Sequence, residues 1–223
     1  AQFTISMKKI LILSLLLFNH VMAQEVITTQ SYQKEFEQIR QQEMRSHDRL
    51  NQAGGSSANY SVASTNFDVH HIRLEWNVDP AILYINGKIT FDFTVTQSTN
   101  SLTFDLLKQL TVDSIWYHGN KISFVQTPEN GVVLNLPITI NSGTKDSVSI
   151  FYQGVPGASG FGTFYQGAHA GTPVIWTLSE PYGSREWWPC KNGLNDKADS
   201  IDIIVTCPQQ YQPSSNGIIV TNT

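Results

Sequence analysis

From residue 60 onward, apolar and polar residues alternate along the chain with a period of two. Residues 72–78 read IRLEWNV, and residues 85–95 continue the alternation over a longer run. Asp79 and Pro80 interrupt it between the two runs. Alternation of this kind predicts β-strands that bury one face, because successive side chains of a strand point to opposite sides.

Shorter apolar runs follow, separated by turns rich in glycine, asparagine and proline. They lie at Leu102–Leu106, Val112–Tyr117, Ile122–Val125, Val132–Leu136, Val148–Tyr152, Pro173–Leu178, Ile201–Val205 and Ile218–Val220. The Gly-rich stretch Val155–Gly171 is expected to be irregular. Many short strands with no helix between them predict an all-β fold, an antiparallel β-sandwich over residues 60–223. Because the last run reaches the C terminus, we expect this domain to be truncated there.

Residues 24–59 differ in character from the predicted β-domain. Ser31–Leu50 carries Tyr32, Phe36 and Ile39 at helical spacing, so it is either a short amphipathic helix or a leader without structure. Asn51–Ser57 reads NQAGGSS, the composition of a flexible linker. We place the domain boundary in this linker.

The segment from Met7 to Ala23 has the features of a signal peptide. Two lysines precede a short apolar run, and Val21 and Ala23 are small residues before the predicted cleavage site. The run is about half of the roughly 20 residues that a spanning helix needs. We therefore expect export to the periplasm, cell surface or exterior, with no membrane span after cleavage. Residues 1–6 precede this segment as an upstream flank.

Composition excludes few classes of function. The formal net charge is −4 and 40% of the residues are hydrophobic, as in a globular domain with a packed core. Since nucleic-acid-binding domains usually carry a basic face, we expect no nucleic-acid partner.

Two familiar catalytic patterns are absent from the sequence. The Gly157–Gly160 stretch reads GASG, which lacks the last glycine of a serine nucleophile elbow. None of the six histidines belongs to an HExxH motif, and the two cysteines lack the spacing of a zinc site. The sequence therefore predicts neither catalytic residues nor a metal site within this chain.

The most informative stretch is Thr177–Cys190, which reads TLSEPYGSREWWPC. It resembles a segment of the aminopeptidase N family of zinc metallopeptidases, which reads roughly TQxEPxxARxxFPC. Further matches are Lys197-Ala198 and Ser215-Asn216 downstream, and Pro80 and Gly87 upstream. The resemblance covers residues 60–223 and implies the N-terminal domain of a secreted zinc aminopeptidase, which in this family is a large β-sandwich-like saddle. The GxMEN and HExxH motifs of the family's catalytic domain do not occur in this sequence. The resemblance thus implies that the zinc belongs to a missing catalytic domain, and that this fragment is inactive alone.

Glu180 matches the carboxylate that this family's N-terminal domain contributes to the active site, where it binds the α-amine of a peptide substrate. An exopeptidase must measure from the free amine, and a charge-assisted hydrogen bond there contributes about 1.5–3 kcal/mol. Leu178 stands where the family commonly has a glutamine that also contacts the amine. The resemblance therefore implies peptide substrates and Glu180 as the amine ligand, with Leu178 as a departure from the family's pattern at the second amine-binding position.

The aromatic, charged and cysteine residues at the end of the stretch are interpreted mainly as structural. Trp187 and Trp188 could line a substrate cleft, but two aromatic residues beside a proline are more often packed in the core or between domains, and we expect packing. Arg185 and Glu186 are expected to be structural or solvent-facing. Cys190 and Cys207 form either a disulfide, which export would permit, or two free thiols, since the family's Pro-Cys cysteine is often unpaired.

A second functional class fits the sheet and the export equally well. A non-catalytic adhesion or carbohydrate-binding module on the cell surface would also be an exported β-sandwich, because fold alone does not give function. It leaves the Thr177–Cys190 stretch without an explanation.

Overall fold

A computed structural model of the chain describes residues 61–157, 163–180 and 182–222, together with Gln33, Lys34, Glu37 and Gln41. The chain divides into two compact units, Ala1–Arg49 and Leu50–Thr223. In the first unit, the four described residues are helical and exposed. The upstream flank, the predicted signal segment and the predicted linker lie outside the described residues.

The second unit is all-β. Its described residues form eleven strands: β1 Phe67–Val78, β2 Ile85–Val95, β3 Thr99–Asp105, β4 Thr111–Tyr117, β5 Asn120–Ile122, β6 Phe124–Gln126, β7 Gly131–Ile140, β8 Lys145–Gly154, β9 Phe164–His169, β10 Thr172–Thr177 and β11 Ser200–Thr206. A short 3-10 helix, Ser184–Glu186, lies between β10 and β11. This confirms the fold class predicted from the sequence.

The strands form three sheets. A six-stranded sheet has the order β11-β1-β2-β8-β4-β5, a three-stranded sheet has the order β3-β7-β6, and β9 and β10 form a separate hairpin. The alternation seen in the sequence places one face of each long strand in the core: in β2, Ile89 and Phe91 are fully buried while Asp92 is exposed.

Aromatic side chains join the two larger sheets. The ring centroid of Phe91 on β2 lies 4.4 Å from that of Phe104 on β3, and Phe67 on β1 lies 5.1 Å from Phe104. Burying each large apolar side chain contributes about 1.5–3 kcal/mol, so these aromatic contacts between the two sheets are a main source of the domain's stability. The core therefore lies between the sheets, as expected for a sandwich.

Four details of the predicted sheet were wrong. The expected single strand at Ile122–Val125 is two short strands in different sheets, because the chain crosses from one layer to the other at Ser123. The stretch expected to be irregular, Val155–Gly171, contains β9. Strand β11 pairs with β1 in parallel, so the large sheet is mixed rather than antiparallel. Ile218–Val220 is not a strand among the described residues, and its apolar side chains are exposed there.

Candidate functional site

The Thr177–Cys190 stretch connects the hairpin to the sandwich. It leaves β10 at Thr177 and ends at Cys190, which forms a single antiparallel bridge with Asp105 at the end of β3. The Asp105 N–H donates to the Cys190 carbonyl at 2.7 Å, and the Cys190 N–H donates to the Asp105 carbonyl at 2.9 Å. Both ends of the stretch are thus fixed by backbone hydrogen bonds.

Glu180 lies on a tight turn within this stretch. The Gly183 N–H donates to the Ser179 carbonyl at 2.8 Å and closes a turn of five residues, in which Glu180 is exposed. Leu178 is half-buried just before the turn, where its N–H donates to the Thr163 carbonyl at 3.1 Å. The structure therefore presents the Glu180 carboxylate to solvent and holds the Leu178 backbone against the hairpin.

Gly183 allows this turn to pack closely. A Cβ atom at this position would lie 2.1 Å from the Cγ2 atom of Thr163, far closer than two carbon atoms can approach. Glycine is therefore required here for steric reasons, although its φ of −87° is open to any residue.

Trp187 is the residue through which the stretch packs into the core. Its ring centroid lies 4.6 Å from that of Trp76, and its carbonyl accepts a hydrogen bond from the Tyr152 hydroxyl at 2.8 Å. The Trp76 Nε1–H donates to the same hydroxyl at 3.1 Å. Gly87 leaves room for these rings, because a Cβ there would lie 2.6 Å from the Tyr152 ring. The packing role predicted for Trp187 is confirmed, and the half-buried Trp188 packs against the same core.

Burial keeps Tyr152 in its neutral form. The pKa of its hydroxyl is raised well above the ordinary value because the group is removed from water. The hydroxyl therefore stays protonated at neutral pH and can donate to the Trp187 carbonyl.

Glu186 is structural, one of the two alternatives that the sequence left open for it. Its side chain is only 9% exposed, and its Oε2 atom accepts a hydrogen bond from the Thr163 Oγ1 at 2.5 Å. Its carbonyl accepts a second bond from the Gly157 N–H at 2.7 Å. Glu186 therefore ties the 3-10 helix to the segment before β9.

Asp105 is a buried carboxylate that the sequence analysis missed. It is fully buried and accepts three hydrogen bonds: from the Ser61 Oγ at 2.6 Å, the Val62 N–H at 2.5 Å and the Asn192 N–H at 2.8 Å. The available signal was an aspartate inside the apolar run Leu102–Leu107. An ionisable residue in such a run indicates a buried polar cluster, because an unpaired charge there would be costly.

Both cysteines are free thiols in this structure, which is the second of the two alternatives considered. Cys190 is buried, whereas Cys207 is half-exposed and its thiol lies 3.7 Å from the Tyr211 carbonyl. Burial, and secondarily the nearby Asp105 carboxylate, raise the pKa of the Cys190 thiol well above its ordinary value. Because the thiolate is the reactive form, Cys190 should be inert in the folded protein.

This difference gives the first testable prediction. Iodoacetamide at pH 8 should alkylate Cys207 and leave Cys190 unmodified, and both should react after denaturation, as peptide mass spectrometry would detect. Equal labelling of the two cysteines in the folded protein would contradict the buried position of Cys190, and no labelling even after denaturation without a reductant would indicate a disulfide.

Metal ligands do not converge in the part of the chain that the structure describes. No group of three or more His, Cys, Asp or Glu side chains is arranged to hold an ion there. The helical residues described include no segment long and apolar enough to cross a membrane.

Comparison with known proteins identifies the family. Residues 59–223 match the family model of the Peptidase M1 N-terminal domain. The chain is also similar to solved structures. A two-domain M1 zinc metallopeptidase mutant bound to L-arginine is 24% identical with a TM-score of 0.64, over 76% of this chain and 40% of that one. An M1 zinc metallopeptidase from Deinococcus radiodurans is 24% identical with a TM-score of 0.63, over 76% and 39%.

A more distant similarity shares the fold. Leukotriene A4 hydrolase from Saccharomyces cerevisiae is 16% identical with a TM-score of 0.55, over 67% of this chain and 25% of that one. No curated protein matches the chain. The chain spans about 40% of the length of the metallopeptidase structures it matches. On the family match, which covers all eleven strands and the Glu180 turn, the chain belongs to the Peptidase M1 N-terminal domain family.

Proposed function

We propose that this chain is the N-terminal domain of an exported, zinc-dependent aminopeptidase, and that Glu180 binds the α-amine of its peptide substrates. The observation that carries the proposal is the exposed carboxylate of Glu180 on a turn closed by the Gly183–Ser179 hydrogen bond, within a family of metallopeptidases. The same membership favours this hypothesis over the adhesion or carbohydrate-binding alternative.

The chemistry of the reaction explains why a carboxylate is needed at this place. An aminopeptidase cleaves only the first peptide bond, so it must recognise the free ammonium group that marks the chain's start. A carboxylate that accepts a hydrogen bond from this ammonium group contributes about 1.5–3 kcal/mol. It also fixes the distance from the amine to the bond that is cleaved.

Leu178 changes how the amine is held. The family that this chain resembles commonly has a glutamine at this position, whose side-chain amide can form a hydrogen bond with the amine. An aliphatic side chain can neither accept nor donate one, so Leu178 contributes no hydrogen bond to the amine. Glu180 would therefore be the main amine ligand from this domain, and Leu178 would offer an apolar contact beside it.

The zinc belongs, in this proposal, to a part of the enzyme outside this chain. The described residues provide no set of ligands that fits the ion. When bound, zinc would activate a water molecule and polarise the scissile carbonyl. This domain would contribute substrate binding, and the chain by itself would be inactive.

Export is the remaining element of the proposal. The basic start, apolar run and small residues of Met7–Ala23 support a cleaved signal. The enzyme would then act on peptides outside the cytoplasm, in the periplasm, at the cell surface or in the medium.

An activity assay on two proteins tests the proposed function. The whole enzyme should release the chromophore from amino-acid anilides, lose this activity with a chelator and regain it with zinc. The isolated chain should release none under the same conditions. A zinc-loaded whole enzyme that cleaves no peptide or anilide, or an isolated chain that does, would contradict the proposal.

A further inference from the structure

We propose that Trp187 and Asn192 are positioning residues that fix the two ends of the turn carrying Glu180. This inference rests on the proposed role of Glu180 in binding the amine. It assigns a function to two buried side chains that would act on the substrate through Glu180.

Trp187 holds the start of the turn. Its indole Nε1–H donates a hydrogen bond to the Ser179 Oγ at 3.0 Å, directly before Glu180. Trp187 is only 7% exposed, and its ring centroid lies 4.6 Å from that of Trp76 and 6.0 Å from that of Phe164. Because the ring packs against these two aromatic side chains, the donor that it offers to Ser179 has a fixed position.

Asn192 holds the end of the turn. Asn192 is 4% exposed, and its side chain donates through Nδ2 to the Tyr182 carbonyl at 2.8 Å and accepts through Oδ1 from the Arg185 N–H at 3.3 Å. Its own backbone N–H donates to the buried carboxylate of Asp105 at 2.8 Å. The side chain of Asn192 therefore joins the turn to the 3-10 helix, and its backbone N–H joins both to the end of β3.

Between these two anchors Glu180 is exposed. A carboxylate on an untethered surface loop would sample many positions and would lose entropy when it met the ammonium group. Anchoring both ends of the turn to the core removes part of this cost and keeps the carboxylate at one distance from the reacting bond. We therefore expect Asn192 and Trp187 to affect activity through Glu180.

A double-mutant cycle in the whole enzyme tests this inference. Asn192→Ala should lower kcat/KM for an amino-acid anilide by about tenfold, since loss of positioning acts on the transition state. In the Glu180→Gln background, the same change should cost less than about twofold, because the group that it positions is already gone. The exposed Asn195 provides the matched control, and Asn195→Ala should leave kcat/KM unchanged in both backgrounds.

Ser179→Ala covers the case in which Asn192→Ala does not fold. This substitution removes the hydrogen-bond acceptor for Trp187 at a half-buried position and replaces no core residue. The loss of kcat/KM that it causes should likewise vanish in the Glu180→Gln background. Equal losses in the two backgrounds, or no loss from either variant, would overturn the inference while leaving the role of Glu180 intact. If Glu180→Gln alone leaves kcat/KM unchanged, the proposed function itself fails, and the positioning role fails with it.

Discussion

In the whole enzyme, Glu180→Gln is expected to lower kcat/KM for peptides with a free amino terminus by about 10- to 100-fold, equivalent to about 1.5–3 kcal/mol. Glutamine keeps the shape of the side chain and removes the charge that the ammonium group needs. Part of the loss should appear in kcat, because a loosely held amine lets the scissile bond move away from its productive position. Steady-state kinetics with an amino-acid anilide measures both parameters.

The exposed position of Glu180 makes the result interpretable. Since its carboxylate is exposed on a turn, the substitution should leave the thermal unfolding temperature and zinc content unchanged. Glu129→Gln removes the same charge from another exposed turn, between β6 and β7, and should leave kcat/KM unchanged. A loss of less than about threefold for Glu180→Gln, or an equal loss for Glu129→Gln, would contradict amine binding by Glu180.

Asp105→Ala is expected to destabilise the folded protein by about 3–5 kcal/mol. The change leaves three donors, on Ser61, Val62 and Asn192, without their acceptor. The Asn192 N–H is buried, where an unsatisfied donor costs about 1–3 kcal/mol, and the other two donors are partly buried. Asp105→Asn should cost less, because it retains one acceptor oxygen. Urea denaturation followed by tryptophan fluorescence measures the difference.

Asp113 provides the control for this comparison. It lies on β4, is exposed, and accepts one exposed hydrogen bond from the Gln153 Nε2 at 2.8 Å. Asp113→Ala should change the free energy of unfolding by less than about 0.5 kcal/mol. A comparable loss for the two alanine variants would show that Asp105 is not the buried anchor described above.

The regular part of the fold could be predicted from the sequence because it depends on local pattern. The alternation in β2 places Ile89 and Phe91 in the core whatever the neighbouring strands are. Strand pairing depends on residues that are distant along the chain, so the parallel pairing of β11 with β1 could not be predicted from the local pattern. Strand β9 was missed because Gly167 and its glycine-rich flank weaken the strand signal, while pairing with β10 supplies the stabilisation.

The candidate site divides in the same way. The residues around Glu180 and the Pro-Cys pair that match the family's motif could be recognised in the sequence, and the packing role of Trp187 could be predicted from it. The contacts of Asn192 with Tyr182 and of Asp105 with Ser61 join residues that are far apart along the chain or in irregular loops. No periodic pattern in the sequence identifies such residues. The buried contacts that hold the Glu180 turn are therefore visible only in the structure.

A crystal structure of the whole enzyme with a bound amino acid or substrate peptide tests the central claim most directly. The measured quantity is the distance between the Glu180 carboxylate and the nitrogen of the ligand's α-amino group. We predict about 2.7–3.2 Å, the range of a direct hydrogen bond. An ordered ligand amine beyond about 6 Å from Glu180, held by other residues, would contradict the claim.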